Sequence, residues 1–157
     1  LEEHFIQYYP SPIGVIEIIA DAKSIHSIHF VNEKKEDNYN SVTLQAYRQL
    51  QEYLEGDRRD FDLPIEPKGT EFQQKVWNEL KNIPFGKVIS YLELAKRLGD
   101  EKVIRAAAAA NGKNPIGIVI PCHRVVGANG DLVGYAGGLD KKKLLLQHEG
   151  VLSKPLF

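Results

Sequence analysis

The chain has 157 residues, 43% hydrophobic and 26% charged, a formal net charge of −1 and a single cysteine. That length carries one good core, or a small domain leaning on a second, and no apolar stretch approaches the roughly 20 residues of a membrane-spanning helix. One cysteine closes no internal disulfide and no secretory pattern opens the sequence, so a soluble protein of a reducing, cytoplasmic compartment is expected, its Met-less start trimmed. Phe5–Tyr9, Val15–Ile19 and Ser24–Phe30 read as short strands joined by turns at Ser11-Pro12-Ile13-Gly14 and Asp21-Ala22-Lys23, an antiparallel meander. A helix from Thr43 to Leu54 follows, with Leu44, Tyr47, Leu50, Gln51 and Leu54 near one face and Gly56 as its stop. His26 and His29 lie in a strand without nearby Cys or acidic ligands, and read as structural or surface residues rather than metal ligands.

Leu63-Pro64-Ile65-Glu66-Pro67-Lys68-Gly69 is a linker, because two prolines and a glycine suppress regular structure. It divides the charge as well: residues 1–69 hold 7 Lys+Arg against 13 Asp+Glu, whereas residues 70–157 hold 13 against 8. The basic half can offer phosphates a patch that near-neutrality of the whole chain conceals. It opens with a capping box, Thr70-Glu71-Phe72-Gln73, and Phe72, Val76 and Leu80 continue a helix to about Asn82 with Trp77 in the core. Ser90-Tyr91-Leu92-Glu93 is a second capping box, opening a helix that ends at Leu98-Gly99. Asp100 caps a third helix, Glu101 to Asn111, stopped by Gly112. Two short helices around a Gly-containing turn have helix-turn-helix grammar, which any αα-hairpin shares. Its run Ala106–Ala110 suits either close approach to a nucleic-acid groove, with Arg105 as the one long cation, or tight core packing, which would leave Arg105 in need of a partner.

The apolar run Ile116-Gly117-Ile118-Val119-Ile120 ends at Pro121, which cannot continue a strand ladder, so the chain turns and delivers Cys122 and His123 to an edge or cleft. A lone cysteine is ordinarily a small buried hydrophobe. Here an imidazole and a guanidinium follow it directly, and both favour the thiolate, which is the nucleophilic form. Adjacent side chains rarely face each other, so activation of Cys122 by His123 calls for an intervening water or a bent turn, with a carboxylate elsewhere orienting the ring.

Ser90-Tyr91, the two-helix unit with Arg105, Asn111-Gly112-Lys113-Asn114-Pro115, Pro121-Cys122-His123-Arg124-Val125, Gly134-Tyr135-Ala136-Gly137-Gly138 and His148-Glu149-Gly150 together resemble the O6-alkylguanine-DNA alkyltransferases, in order from Gly69 to Gly150. The resemblance implies an α+β protein, with an α/β N-terminal domain (1–66) holding a small antiparallel sheet, and a mainly helical C-terminal domain (67–157) holding the helix-turn-helix and active site. It implies a monomer that docks in the minor groove of double-stranded DNA containing O6-alkylguanine. The damaged base would be flipped out and its alkyl group moved irreversibly to Cys122, in a single turnover without a cofactor.

Carried over by residue, the resemblance makes His123 the relay that takes the thiol proton through water, Glu149 the carboxylate that holds its tautomer, and Asn114 the hinge to the cysteine turn. Tyr91 would rotate the target phosphate and bond the base, and Arg105 would fill the vacated stack beside Ala106. Arg124 joins Arg105, Tyr91 and Ala106 as a DNA contact. Backbone groups of Cys122, Val125 and Ala136 would read the guanine edge, and Tyr135 would pack on its face. The departures are Ala107-Ala108 in place of a Val-Gly pair, and Gly117 where some relatives have proline. Some relatives hold zinc in the first domain; without cysteine there, none is expected here. Two other classes remain: a protein that flags alkylated DNA without removing the lesion, which would not need Cys122, and a cysteine hydrolase, which would turn over repeatedly and not need Arg105.

Overall fold

The computed structural model describes residues 3–153, so the outer ends of both predicted domains, 1–2 and 154–157, lie outside the described residues. Two units divide it: residues 3–68 with Pro115–Val119, and Gly69–Asn114 with residues 120–153. In the first, the expected meander is a three-stranded antiparallel sheet of β1 (Phe5–Ser11), β2 (Gly14–Ala20) and β3 (Ile25–Val31), in that order. Period-2 alternation sends Tyr9, Ile16, Ile18 and Ile28 to one face, where all four are buried. Helix α1 (Ser41–Leu54) covers that face, and the Tyr9 and Tyr47 rings pack 4.6 Å apart at a tilt of 47°. The helix starts two residues before the expected Thr43 and is capped by Asn40, whose side chain accepts from the Thr43 amide while the Asn40 amide donates to the Thr43 hydroxyl.

The buried stripe of α1 is Val42, Thr43, Ala46, Gln49, Leu50 and Tyr53, rotated from the expected one, and Leu44 is exposed. Polar residues hide the true stripe from a hydrophobicity pattern. Gln49 is buried because its amide donates to the Asp62 carbonyl (3.0 Å) and accepts from the Asp62 amide (2.9 Å), as an extended backbone would.

The run Ile116–Ile120 is not a strand. Only Ile116 pairs, in parallel, with Ile28; the Ile28 amide donates to the Pro115 carbonyl (3.0 Å) and the Gly117 amide to the Ile28 carbonyl (2.8 Å). The chain then turns through Ile118 at φ 70°, a left-handed conformation costly for a β-branched residue and tolerated here with the side chain fully packed. The linker likewise lends one residue, Ile65, to the same edge of β3 opposite Ile25. Both segments occupy edge groups that would otherwise be open to pairing.

In the second unit, α2 (Glu71–Leu80) starts at the expected capping box and stops two residues early. Trp77 is core: its indole N–H donates to the Ala110 carbonyl (2.8 Å) near the end of α4 (Ile104–Gly112). Gly69 is demanded by the same ring, since a Cβ there would sit 2.4 Å from it. Strand β4 (Ile89–Ser90) leads into α3 (Tyr91–Arg97), and pairs in parallel with β5 (Val125–Val126) just after the cysteine turn. Ser90 caps α3 as expected, but the box is one-sided, with Glu93 turned to Arg97 (3.3 Å). Past Gly99 (φ 99°), Asp100 caps a 3-10 turn, Glu101–Val103, rather than α4 itself. Helix α5 (Leu139–His148) closes the unit. The molecule is thus α+β, and no described helix is long and apolar enough to cross a membrane.

Candidate active site

Cys122, His123 and Arg124 form one turn of 3-10 helix, entered from Pro121 and leaving into β5. Three residues per turn set successive side chains about 120° apart, so the three neighbours look in different directions. All three are buried, His123 completely.

The imidazole looks toward the C-terminus of α5. His123 Nε2 lies 2.8 Å from Glu149 Oε2, between two side chains with no solvent exposure. A carboxylate can only accept there, so Nε2 carries the proton in the neutral ring and Nδ1 is the acceptor. Nδ1 is buried without a hydrogen-bond partner. Burial, opposed by Glu149, holds the imidazole below its usual pKa, and neutral at rest.

Arg124, expected from sequence as a DNA contact, is not an exposed cation. It is buried with its guanidinium clamped on Glu149, Nε to Oε1 at 2.8 Å and Nη2 to Oε2 at 2.9 Å, while Nη1 donates to the Ile83 carbonyl at 2.6 Å. The turn after α2 completes this pocket: the Gly86 amide donates to Glu149 Oε1 (3.1 Å), and the Phe85 ring lies 5.9 Å from the guanidinium. The carboxylate expected from sequence to orient His123 is in place, and the cation expected beside the thiol has gone to that carboxylate.

Cys122 is only 5% exposed, and burial pushes its thiol up, so no ready-made thiolate stands in an electropositive turn. Hydrogen bonding from Asn114 and the charge of Lys142 act in the opposite sense. Asn114 also donates to the Ile120 carbonyl (2.7 Å), holding the two ends of the 114–120 excursion together. Tyr91 and Tyr135 are half-buried, and both hydroxyls are pushed up by burial and by the nearby Cys122. Val125 is buried and Ala136 exposed. Arg105 and Ala106 are exposed on the first turn of α4, whereas Ala107, Ala110 and Asn111 are buried on its other face. The core reading of Arg105 is thereby excluded; of the two arginines, it is the one on the surface.

Two residues escaped the sequence. Lys142 is fully buried, donating to the carbonyls of Val125 (2.6 Å) and Val133 (2.7 Å), and burial lowers it to about 8. Lys141-Lys142-Lys143 reads as a solvated charge run; the available signal was that Lys142 shares helical spacing with the buried Leu145 and Leu146. Asn111, taken for a helix-end residue, donates to the Cys122 carbonyl (3.3 Å).

Among the described residues, the donor atoms of Asp21, His26 and Glu66 come within 4.8 Å of one another, so His26 does have acidic neighbours that its strand context did not reveal. Its ring is already engaged, by Asp21 Oδ2 at 2.6 Å and the Glu66 carbonyl at 3.0 Å, and Asp21 also accepts from the amides of Lys23 and Ser24. These bonds tie the β2–β3 turn to the linker.

Comparison with known proteins covers the same ground. Residues 71–151 match the family model of the 6-O-methylguanine DNA methyltransferase DNA-binding domain, and residues 5–67 that of its ribonuclease-like domain. The chain is 45% identical over 149 residues to a methylated-DNA-protein-cysteine methyltransferase of Methanosarcina acetivorans, covering 90% of this chain and 96% of that one. It is 38% identical over 155 residues to one from Haemophilus influenzae, covering 94% and 87%. Among solved structures, it resembles the Mycobacterium tuberculosis O6-methylguanine methyltransferase (TM-score 0.85, 34% identity, 99% and 97% covered) and the M. tuberculosis OGT in complex with DNA (0.84, 36%, 92% and 91%). With both models matched in order and near-complete relatives at such identity, the chain belongs to the 6-O-methylguanine DNA methyltransferase family.

Proposed function

We propose that the protein repairs O6-alkylguanine in double-stranded DNA by moving the alkyl group to Cys122 in a reaction that consumes the protein. The observation that carries this reading is the buried ring of His123, its Nε2 committed to Glu149 and its Nδ1 left as an acceptor, next in the chain to a thiol that burial keeps protonated. Such a thiol needs a base. His123 takes the proton through a water, Sγ forms a bond to the alkyl carbon as the carbon–O6 bond breaks, and one proton returns to the guanine. The thioether has no low-barrier way back, so each molecule acts once and needs no cofactor.

O6 lies inside the stacked duplex, so the base is flipped out at a cost of a few kcal/mol. Exposed Arg105, with small Ala106 beside it, fills the gap from the minor groove. Tyr91 stabilises the extruded nucleotide and Tyr135 packs on its face, while the backbones of Cys122, Val125 and Ala136 read its edge. The Val125 carbonyl already accepts from Lys142, which fixes that edge-reading strand. Asn114 holds the hinge and lowers the thiol's proton affinity. The same reading makes 1–66 a supporting domain and 67–157 the DNA-binding and active-site domain of a monomer, cytoplasmic because the thiol must stay reduced.

Titration with excess O6-methylguanine duplex tests consumption: one guanine is restored per protein molecule, and then the reaction stops. Repeated turnover would point to a hydrolase-like enzyme, and binding with the lesion left intact to a lesion-flagging protein.

A further inference from the structure

We infer that Arg124 is a positioning residue of the transfer reaction, which sets the geometry and charge of the His123–Glu149 pair from behind. This rests on the reading of Cys122 and His123 above. Four observations converge on it. The guanidinium binds both oxygens of Glu149 at 2.8 and 2.9 Å, which fixes the plane of the carboxylate. Its third nitrogen is anchored at 2.6 Å on the Ile83 carbonyl, so the fork is tied to the turn after α2 and cannot swivel. That turn contributes Gly86, whose amide bonds Oε1 at 3.1 Å and whose left-handed backbone (φ 80°) suits glycine. Held in this way, Oε2 also lies 2.8 Å from His123 Nε2.

Orientation is one consequence, and charge balance is the other. A buried carboxylate alone beside the imidazole would raise its proton affinity and tend to hold His123 as imidazolium, useless as a base. A cation on the far side of the carboxylate opposes this, and the charge of Arg124 acts on His123 in the lowering sense. The charged groups acting on the ring are Arg124 of its own turn, Glu149 at the C-cap of α5 and Lys142 in the first turn of α5; Cys122 precedes the ring in that turn, with Tyr91 of α3 near Cys122. Arg124 is the cation in this set that touches the carboxylate. Lysine, with one point charge and no planar fork, would keep the charge balance and lose the fixed plane.

The test uses Arg124→Lys and Arg124→Gln, with wild type as the control for the underlying reading: wild type that transfers no methyl to Cys122 defeats that reading, whereas wild-type transfer leaves the variants to judge Arg124. For Arg124→Lys, transfer from duplex and from free O6-methylguanine base slows by the same factor, about tenfold or more, because the fork's hydrogen bonds are lost. Its DNA affinity stays within about twofold of wild type and the acid limb of its pH-rate profile stays in place, since the charge remains and the position is buried. For Arg124→Gln, the acid limb moves to higher pH, because loss of the cation makes His123 easier to protonate. Unchanged transfer in Arg124→Lys overturns the inference, as does a loss confined to duplex substrate with weakened DNA binding. A slowed Arg124→Gln whose acid limb has not moved reduces Arg124 to a structural ion pair. Should Arg124→Gln fail to fold, Arg124→Lys and its two substrates decide.

Discussion

The exposed first turn of α4 and the buried turn at Cys122 each carry an arginine, and the two are used in opposite ways. Arg105 stands in solvent beside the small Ala106, on a helix whose other face is packed. Arg124 is enclosed by Glu149, Ile83 and Phe85. A cation in solvent keeps its hydration and is available to a ligand; a buried cation must be fully paired, and then acts through its partner. On the proposed reading docking and chemistry are separable, and substitutions in each region should leave the other function standing.

The largest effect belongs to the buried turn. Cys122→Ala should abolish transfer while affinity for alkylated duplex, read by fluorescence anisotropy, stays within about threefold, because little volume is disturbed. Glu149→Gln should slow transfer by about 100-fold or more, in proportion on duplex and on free base, since an amide cannot hold the neutral ring in the same tautomer. An equal loss of DNA affinity would make Glu149 merely structural.

Arg105→Ala tests the other side of the comparison. Repair of duplex should fall by about tenfold or more, while reaction with free O6-methylguanine and the melting temperature barely change, because only duplex imposes the unstacking cost and no buried charge is orphaned. Parallel loss on both substrates would remove the distinction between the two arginines.

A smaller effect follows from His123. Its folded-state pKa is depressed from about 6.5, so the unfolded chain binds the proton first as pH falls. The stability due to its neutral burial is fully present above about pH 6.5, and is lost as pH drops through the lowered folded value. Melting temperature measured from pH 7.5 down to 5 should fall more steeply for wild type than for His123→Asn; parallel curves would show that His123 does not titrate on unfolding. The smallest effect is expected at Asp100, whose Oδ1 accepts from the Lys102 amide at 2.9 Å. Asp100→Ala should cost about 1 kcal/mol in a denaturant melt, as loss of an N-cap does, with transfer to free base unchanged.

What the sequence disclosed was local and periodic. Strand alternation in β1 to β3 and the caps at Thr70, Ser90 and Asp100 were legible because each rests on a few neighbouring residues. Buried polar groups were not. Gln49 reads as surface until its backbone partner Asp62 is known, and Lys142 until its two carbonyl partners are. The apolar run 116–120 looked like a strand, because no local signal shows that only Ile116 pairs and that Ile118 turns left-handed. At the site, the sequence reading held that adjacent side chains rarely face each other, as a 3-10 turn requires, but it put the charge of Arg124 beside the thiol, where the structure pairs it with Glu149. Glu149 lies 26 residues beyond His123, and it was family resemblance, not spacing, that paired them.

Intact mass followed by peptide mapping, after incubation with O6-methylguanine duplex, tests the central claim most directly. The account predicts one methyl group per protein molecule, in place of the thiol hydrogen of Cys122, with guanine restored in the DNA. Unmodified protein with the methyl still on the DNA, or a methyl group on any other residue, would contradict it.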